Sequence, residues 1–399
     1  MRYVLTFRMN AYLGLTNGEI FPGKAICMGD DAFGEVVVYN SRNFRYQILT
    51  EPVNSGKIIV SGSEIVYNRW PLFSEIESFK PHLQGLIILG SLCKSQYQNK
   101  YYNLKNFLGS NMIPFFKPNQ PEQLRNTLEQ NPPLADKSGI LTSSLETAKR
   151  IQNENVNGHQ ACNPFETSAD SGHDFTRRLS TSLEFFWDMP VQRRHNGKFI
   201  EKNYLVVAYD FGLPYSLLRN LKKYDCDIRI VPADYSPEEV IALKPEGILL
   251  AGGPGKPEKM KYAIDNIARL VGLRPILATG LGHILLAMSM GVRTKLLKIP
   301  HFGNEIEVEQ VGNINFEDKE RFKTDQTHLI SLDKTSLENT GFKTTLINTA
   351  DGTIEGYEND EFLIQSYAFS LGGSDIHILS CIERFVACME SHRAGKILI

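Results

Sequence analysis

From Asn203 to about Met290 the chain alternates short apolar runs with longer amphipathic ones. Tyr204–Tyr209, Asp227–Val231, Gly247–Ala251 and residues 275–278 read as strands. Pro214–Lys223, a segment opening at Ser236 with a capping-box-like Ser-Pro-Glu-Glu start, residues 258–271 and residues 283–290 read as helices. Strands separated by helices imply a doubly wound parallel sheet, which takes ligands at the carboxyl ends of its strands.

The first part of the chain is patterned differently. Gly34–Tyr39, Lys57–Val60 and Gln84–Leu89 are β-branched or aromatic runs punctuated by Gly, Asn and Pro turns. Two helical patterns, Tyr102–Leu108 and Pro121–Gln130, interrupt them. The pattern predicts a strand-rich α/β domain over residues 1–148 and the wound α/β domain over 203–399. Residues 149–202 are polar and low in apolar periodicity, which reads as a linker or mobile region.

Composition narrows the function classes. A formal net charge of -2 leaves no electrostatic footprint for nucleic acid or an anionic membrane. No run is long and apolar enough for a transmembrane helix, and the Met1–Asn10 segment does not read as a signal peptide. Six cysteines are scattered without a C-x-x-C pair, which predicts reduced thiols, a cytoplasmic setting and no metal site. No cofactor is expected. Gly280-x-Gly282 lacks the third glycine of a dinucleotide fingerprint, because Leu285 stands there. Asp210-Phe-Gly212 matches a kinase tripeptide by letters only.

The segment Pro275–His283 has the frame of a nucleophile elbow: an apolar strand, a Gly-rich turn and an apolar helix. Its apex is Gly280, which has no side chain to attack with. Gly252-Gly253-Pro254-Gly255 directly follows the strand Gly247–Ala251, and a turn there can point N–H groups outward toward an oxyanion. His283 opens the helix after the elbow, where capping or packing serves as well as catalysis.

Several segments, in order, resemble the small (glutaminase) subunit of carbamoyl-phosphate synthetase. They are Leu15–Gly23, Gly34–Asn40, Tyr46–Pro52, Val206–Gly212, Ile230–Pro232, Gly247–Gly255, Leu281–His283, Gln326–His328 and Asp351–Gly356. The resemblance implies a flavodoxin-like glutamine-amidotransferase domain and a Cys-His-Glu triad. Here the Cys position is Gly280, and the His and Glu positions are Tyr367 and Phe369. The glutamine-contacting positions are changed as well, to Val53, Ile284, Thr327, Leu329 and Ile330. Each lost polar contact to a buried zwitterion costs about 1–3 kcal/mol. Gly252–Gly255, His301, Gly303, Asn304, Gln326 and His328 stand as the family has them.

The expectation is therefore a catalytically degenerate member with no glutaminase residues left, acting through a protein partner. That partner is a synthetase-type large subunit or an unrelated assembly, with a link to carbamoyl phosphate, pyrimidine or arginine synthesis. Two other readings stand beside it. One is an enzyme with altered chemistry built from His283, His328, Tyr367 or Cys226 around the Gly252–Gly255 turn; the other is a purely structural protein.

Overall fold

A computed structural model describes residues 9–39, 46–62, 65–66, 72–93, 103–130, 138–156, 175–188, 203–311 and 321–395. Met1–Arg8, Tyr102, Cys162 and much of the expected connector lie outside these residues. The chain divides into two compact units, Met1–Gly172 and His173–Ile399. Among the described residues no helix is long and apolar enough to cross a membrane.

In the first unit, β1 (Met9–Leu15), β2 (Ile20–Cys27), β3 (Ala32–Tyr39) and β4 (Lys57–Ser61) are followed by the short β5 (Ile65–Val66). Then come β6 (Gly85–Ile88), the short β7 (Leu92–Cys93), β8 (Phe115–Pro118) and β9 (Ser138–Thr142). Seven of these close into a barrel in the order β1-β2-β8-β6-β4-β3-β9. Strand richness was legible in the sequence; closure was not, because it depends on the β1–β9 pairing of residues far apart in the chain. Alternate strand residues such as Leu13, Val36, Ile58, Val60, Ile87 and Phe116 share one apolar cluster. Leu124 and Leu128 join it from the amphipathic helix Pro121–Gln130, one helical turn apart.

The second unit is built on a ten-stranded sheet. Its strands are β10 (Phe185–Phe186), β11 (Tyr204–Asp210), β12 (Cys226–Val231), β13 (Gly247–Ala251), β14 (Ile276–Thr279), β15 (Thr294–Gln310), β16 (Arg321–Leu332), β17 (Lys343–Asn348), β18 (Ile354–Asn359) and β19 (Ile364–Tyr367). The order is β10-β12-β11-β13-β14-β19-β18-β17-β15-β16. The run β12-β11-β13-β14-β19 is parallel throughout, in the flavodoxin-like 2-1-3-4-5 order. Val206, Ala208, Leu249 and Leu277 face one apolar cluster, while Val207, Tyr209, Ile248, Leu250, Ile276 and Ala278 face another. The parallel strands are thus apolar on both faces and read as continuous hydrophobic runs.

The stretch 149–202, expected as a linker or mobile region, carries regular elements at both ends, and the helix Leu145–Val156 runs into its start. Helix Phe175–Leu179 and β10 lie inside it, and β10 pairs with β12. Trp187 is buried in the main core, with its N–H donating to the Ile228 carbonyl at 2.9 Å. Scattered apolar residues without helix or strand periodicity concealed this, because they dock on a finished sheet instead of forming a face of their own.

Candidate functional site

The elbow forms as its pattern predicts. β14 is buried along its whole length, and the helix Leu281–Ser289 leaves directly after Gly280. Gly280 has φ 59° and ψ -123°, a region that residues with side chains enter only under strain. A Cβ there would still have room, its nearest neighbour being the Gly252 carbonyl oxygen at 3.4 Å. Two residues on, a Cβ at Gly282 would stand 2.1 Å from the Leu250 carbonyl oxygen. Gly282 therefore lets the helix pack directly on β13 and is no part of a nucleotide fingerprint.

One donor of the glycine turn at the end of β13 is engaged within the fold, as is the amide that follows the elbow apex. The Gly253 N–H donates to the Gly212 carbonyl at 3.3 Å. The Leu281 N–H, the amide after the elbow apex, donates to the Gly252 carbonyl at 2.9 Å. The tripeptide Asp210-Phe-Gly212 has a structural task here. Asp210 Oδ1 accepts from the Gly212 and Leu213 amides, and Oδ2 accepts from the Thr181 amide at 2.7 Å. Asp210 thereby holds the loop on which Gly253 rests.

Tyr367 lies opposite Thr279 in the β14–β19 register, and the Gly280 N–H donates to its carbonyl at 3.2 Å. Its ring is 1% exposed and belongs to the apolar cluster that also holds Phe369. The ring centroids of Tyr367 and Phe369 are 5.5 Å apart, and Phe322 meets Phe369 edge-on at 5.9 Å. Arg384 donates to the Tyr367 hydroxyl at 3.2 Å and to Glu358 at 2.6 Å. Burial pushes the Tyr367 phenol well above its usual range, so it stays protonated. The Thr279 hydroxyl donates to the Phe369 carbonyl, which fixes the backbone beyond β19. Both side chains are packed in the core.

His283 is also sealed in. It is 1% exposed, its Nδ1 lies 2.8 Å from the Ser366 hydroxyl, and burial pushes its pKa down to about 3. Cys226 is wholly buried, and burial drives its thiol far above the range of a usable thiolate. Ile284 is buried in the cluster against which Ile330 packs. Thr327, Leu329 and Ile330 lie on β16, all half-buried. Val53 sits in a short 3-10 turn, Pro52–Asn54, of the first unit.

The sequence analysis named His301, His328 and the segment Asp351–Gly356 separately but did not bring them together. The β15–β16 register sets His301 opposite His328. Glu355 on β18 points at both: His301 Nδ1 is 3.2 Å from His328 Nε2 and 3.1 Å from Glu355 Oε1. His301 Nε2 lies 3.0 Å from Asp351 Oδ2. Burial alone would lower the pKa of His301, but Glu355 and Asp351 together raise it; His328 is lowered, chiefly by burial. Cysteine spacing gave no sign of this cluster, because its members come from three strands and a turn.

Comparison with known proteins agrees with this architecture. The carbamoyl-phosphate synthase small chain CPSase domain matches residues 13–130, and the class-I glutamine amidotransferase domain matches residues 207–369. A carbamoyl phosphate synthase small chain of Syntrophotalea carbinolica is 30% identical over 97% of this chain and 100% of its own length. An arginine-specific small chain of Halalkalibacterium halodurans is 28% identical over 90% of this chain and 91% of its own. A small chain of Clostridium perfringens is 29% identical over 90% and 93%.

Proposed function

The chain belongs to the carbamoyl phosphate synthase small chain family, and we propose that within it this protein is a pseudo-glutaminase that acts by binding a protein partner. The observation that carries the reading is the trio at the elbow: Gly280 offers no nucleophile, while Tyr367 and Phe369 are each 1% exposed. An acyl-enzyme needs a nucleophile activated by a neighbouring base, and neither is present at these positions. The Leu281 amide, engaged at 2.9 Å by the Gly252 carbonyl, supports the same reading, since that N–H is the one an elbow enzyme turns toward its oxyanion. The changed positions Val53, Ile284, Thr327, Leu329 and Ile330 work against holding a glutamine zwitterion.

The curated relatives are small chains of a synthase, and we extend to this chain a protein partner: a synthetase-type large subunit or an assembly that has replaced it. The segment Phe116–Pro121, where the family opens a helix with Asp-Thr-Arg, here leads from β8 into the helix Pro121–Gln130 with other side chains, and that change argues for a shifted partner set. Service in carbamoyl phosphate, pyrimidine or arginine synthesis, within the cytoplasm, belongs to the same proposal. Altered chemistry through His283, Tyr367 or Cys226 has little support, all three being buried.

The test pairs two measurements on the purified full-length protein. Glutamine should release no ammonia above the uncatalysed background, with or without added synthetase large subunit. A stoichiometric partner should co-purify from the native host. Ammonia release at an ordinary enzymatic turnover, or a persistently partnerless monomer, would overturn the proposal.

A further inference from the structure

The His301 cluster has a geometry that the loss of glutaminase residues does not account for. Three atoms that can serve as metal ligands once deprotonated face one another: His301 Nδ1, His328 Nε2 and Glu355 Oε1. Their separations are 3.1, 3.2 and 3.8 Å. Bonds of about 2.0–2.2 Å in a tetrahedral arrangement put ligand atoms roughly 3.3–3.6 Å apart. The three atoms thus stand at the corners of one face of such a coordination shell.

The surroundings are those of a ligand set. Glu355 is wholly buried, and its Oε2 has no hydrogen-bond partner among the described residues, while its Oε1 accepts from the Thr353 hydroxyl at 3.2 Å. A wholly buried carboxylate needs a compensating positive charge. Asp351 meets the far nitrogen of His301 at 3.0 Å, and is itself held by the Thr353 amide at 3.0 Å and the Thr353 hydroxyl at 2.7 Å. A carboxylate on the outer nitrogen is the arrangement that fixes the tautomer and ring orientation of a metal-bound histidine. His301 and His328 keep 9% and 16% of their side-chain surface exposed.

We propose that His301, His328 and Glu355 bind a divalent cation of the zinc class through Nδ1, Nε2 and Oε1, with Asp351 as the positioning residue behind His301. Two imidazoles and one carboxylate favour zinc or cobalt over magnesium and calcium, which prefer all-oxygen shells. Three protein ligands leave a fourth position for water. The inference is independent of the pseudo-glutaminase reading, since it uses none of the elbow residues.

The test is titration of full-length protein, stripped with a chelator, by Co2+ followed in visible absorption and by Zn2+ followed by calorimetry. Expected are one equivalent bound with a Kd of about 1 µM or tighter, the bands of tetrahedral cobalt, and a melting temperature raised by the metal. Magnesium should not compete. His328→Gln and Glu355→Gln should abolish the bands, and Asp351→Asn should weaken binding about 10- to 100-fold. If the stripped wild-type protein shows no saturable binding, His301 is only an imidazolium shared by two carboxylates, and the proposal fails. It fails equally if folded His328→Gln and Glu355→Gln proteins still bind with wild-type affinity.

Discussion

The amide of Leu281 donates to the carbonyl of Gly252 at 2.9 Å, closing the elbow onto the glycine turn beside it. In an elbow enzyme the amide after the nucleophile stabilises the developing oxyanion. Here the same amide is satisfied within the fold, so the turn is self-contained and anion binding would require this bond to break.

That closure predicts the behaviour of a Gly280→Cys protein. The new side chain has room, with Gly252 oxygen 3.4 Å from the Cβ position. No base stands beside it, because Tyr367 is buried and protonated. The thiol should therefore lack the imidazole that would make it a thiolate, its place at the N-cap of the helix Leu281–Ser289 lowering it only modestly from about 8.5, and the protein should release no ammonia from glutamine. The pH dependence of alkylation at that peptide, read by mass spectrometry, checks the first point; a thiolate already formed at neutral pH would contradict it.

Restoring all three positions, Gly280→Cys with Tyr367→His and Phe369→Glu, should damage the protein before it repairs any chemistry. Phe369 is 1% exposed between Tyr367 and Phe322. Removing that ring and placing a carboxylate in the apolar cluster should cost more than about 4 kcal/mol. Urea unfolding measures the loss. Near-normal stability together with family-level activity would show that both the core and the pocket tolerate Cys, His and Glu at these positions.

Two neighbouring glycines should separate cleanly under alanine substitution. Gly280→Ala faces only backbone strain at φ 59° and should cost about 1–2 kcal/mol. Gly282→Ala places its Cβ 2.1 Å from the Leu250 carbonyl oxygen and should cost about 3 kcal/mol or more. Equal midpoints in denaturant would refute the assignment of these roles.

His283 should shape the acid limb of stability. Its folded-state pKa is pushed down to about 3, from an ordinary value of 6.5. Between those values the unfolded chain binds the extra proton, so stability falls as pH drops through the window, by up to about 1.4 kcal/mol per pH unit. Below about pH 3 this contribution is exhausted. His283→Gln should flatten that limb relative to wild type; an unchanged slope would mean that other groups dominate.

Much of this molecule was legible from residue order. The strands Lys57–Ser61, Tyr204–Asp210 and Gly247–Ala251 and the capped helix starting after Ser236 lie where periodicity and capping residues place them. The elbow was legible because a strand, a glycine turn and an apolar helix are contiguous. What stayed hidden depends on long-range pairing. Trp187 reaches its core only through β10 docking on β12, and the barrel exists only because β9 returns to β1. The Asp351, Glu355, His301 and His328 constellation depends on strand register, which no local pattern encodes. Nor does an apolar letter reveal that Gly252 would turn its carbonyl, not an amide, toward Leu281.

The closed barrel of the first unit carries a consequence for recognition. Every one of its seven strands is paired on both sides, so the barrel offers no unpaired edge to an incoming peptide. The outermost long strand of the second unit, β16, begins with exposed Arg321 and Lys323, the kind of charges that discourage strand addition. Partners that recognise an extended peptide by main-chain hydrogen bonding are thus poorly suited to the barrel. Whatever docks on it must read side chains and loop shape, which selects for a folded surface of complementary form over a flexible tail.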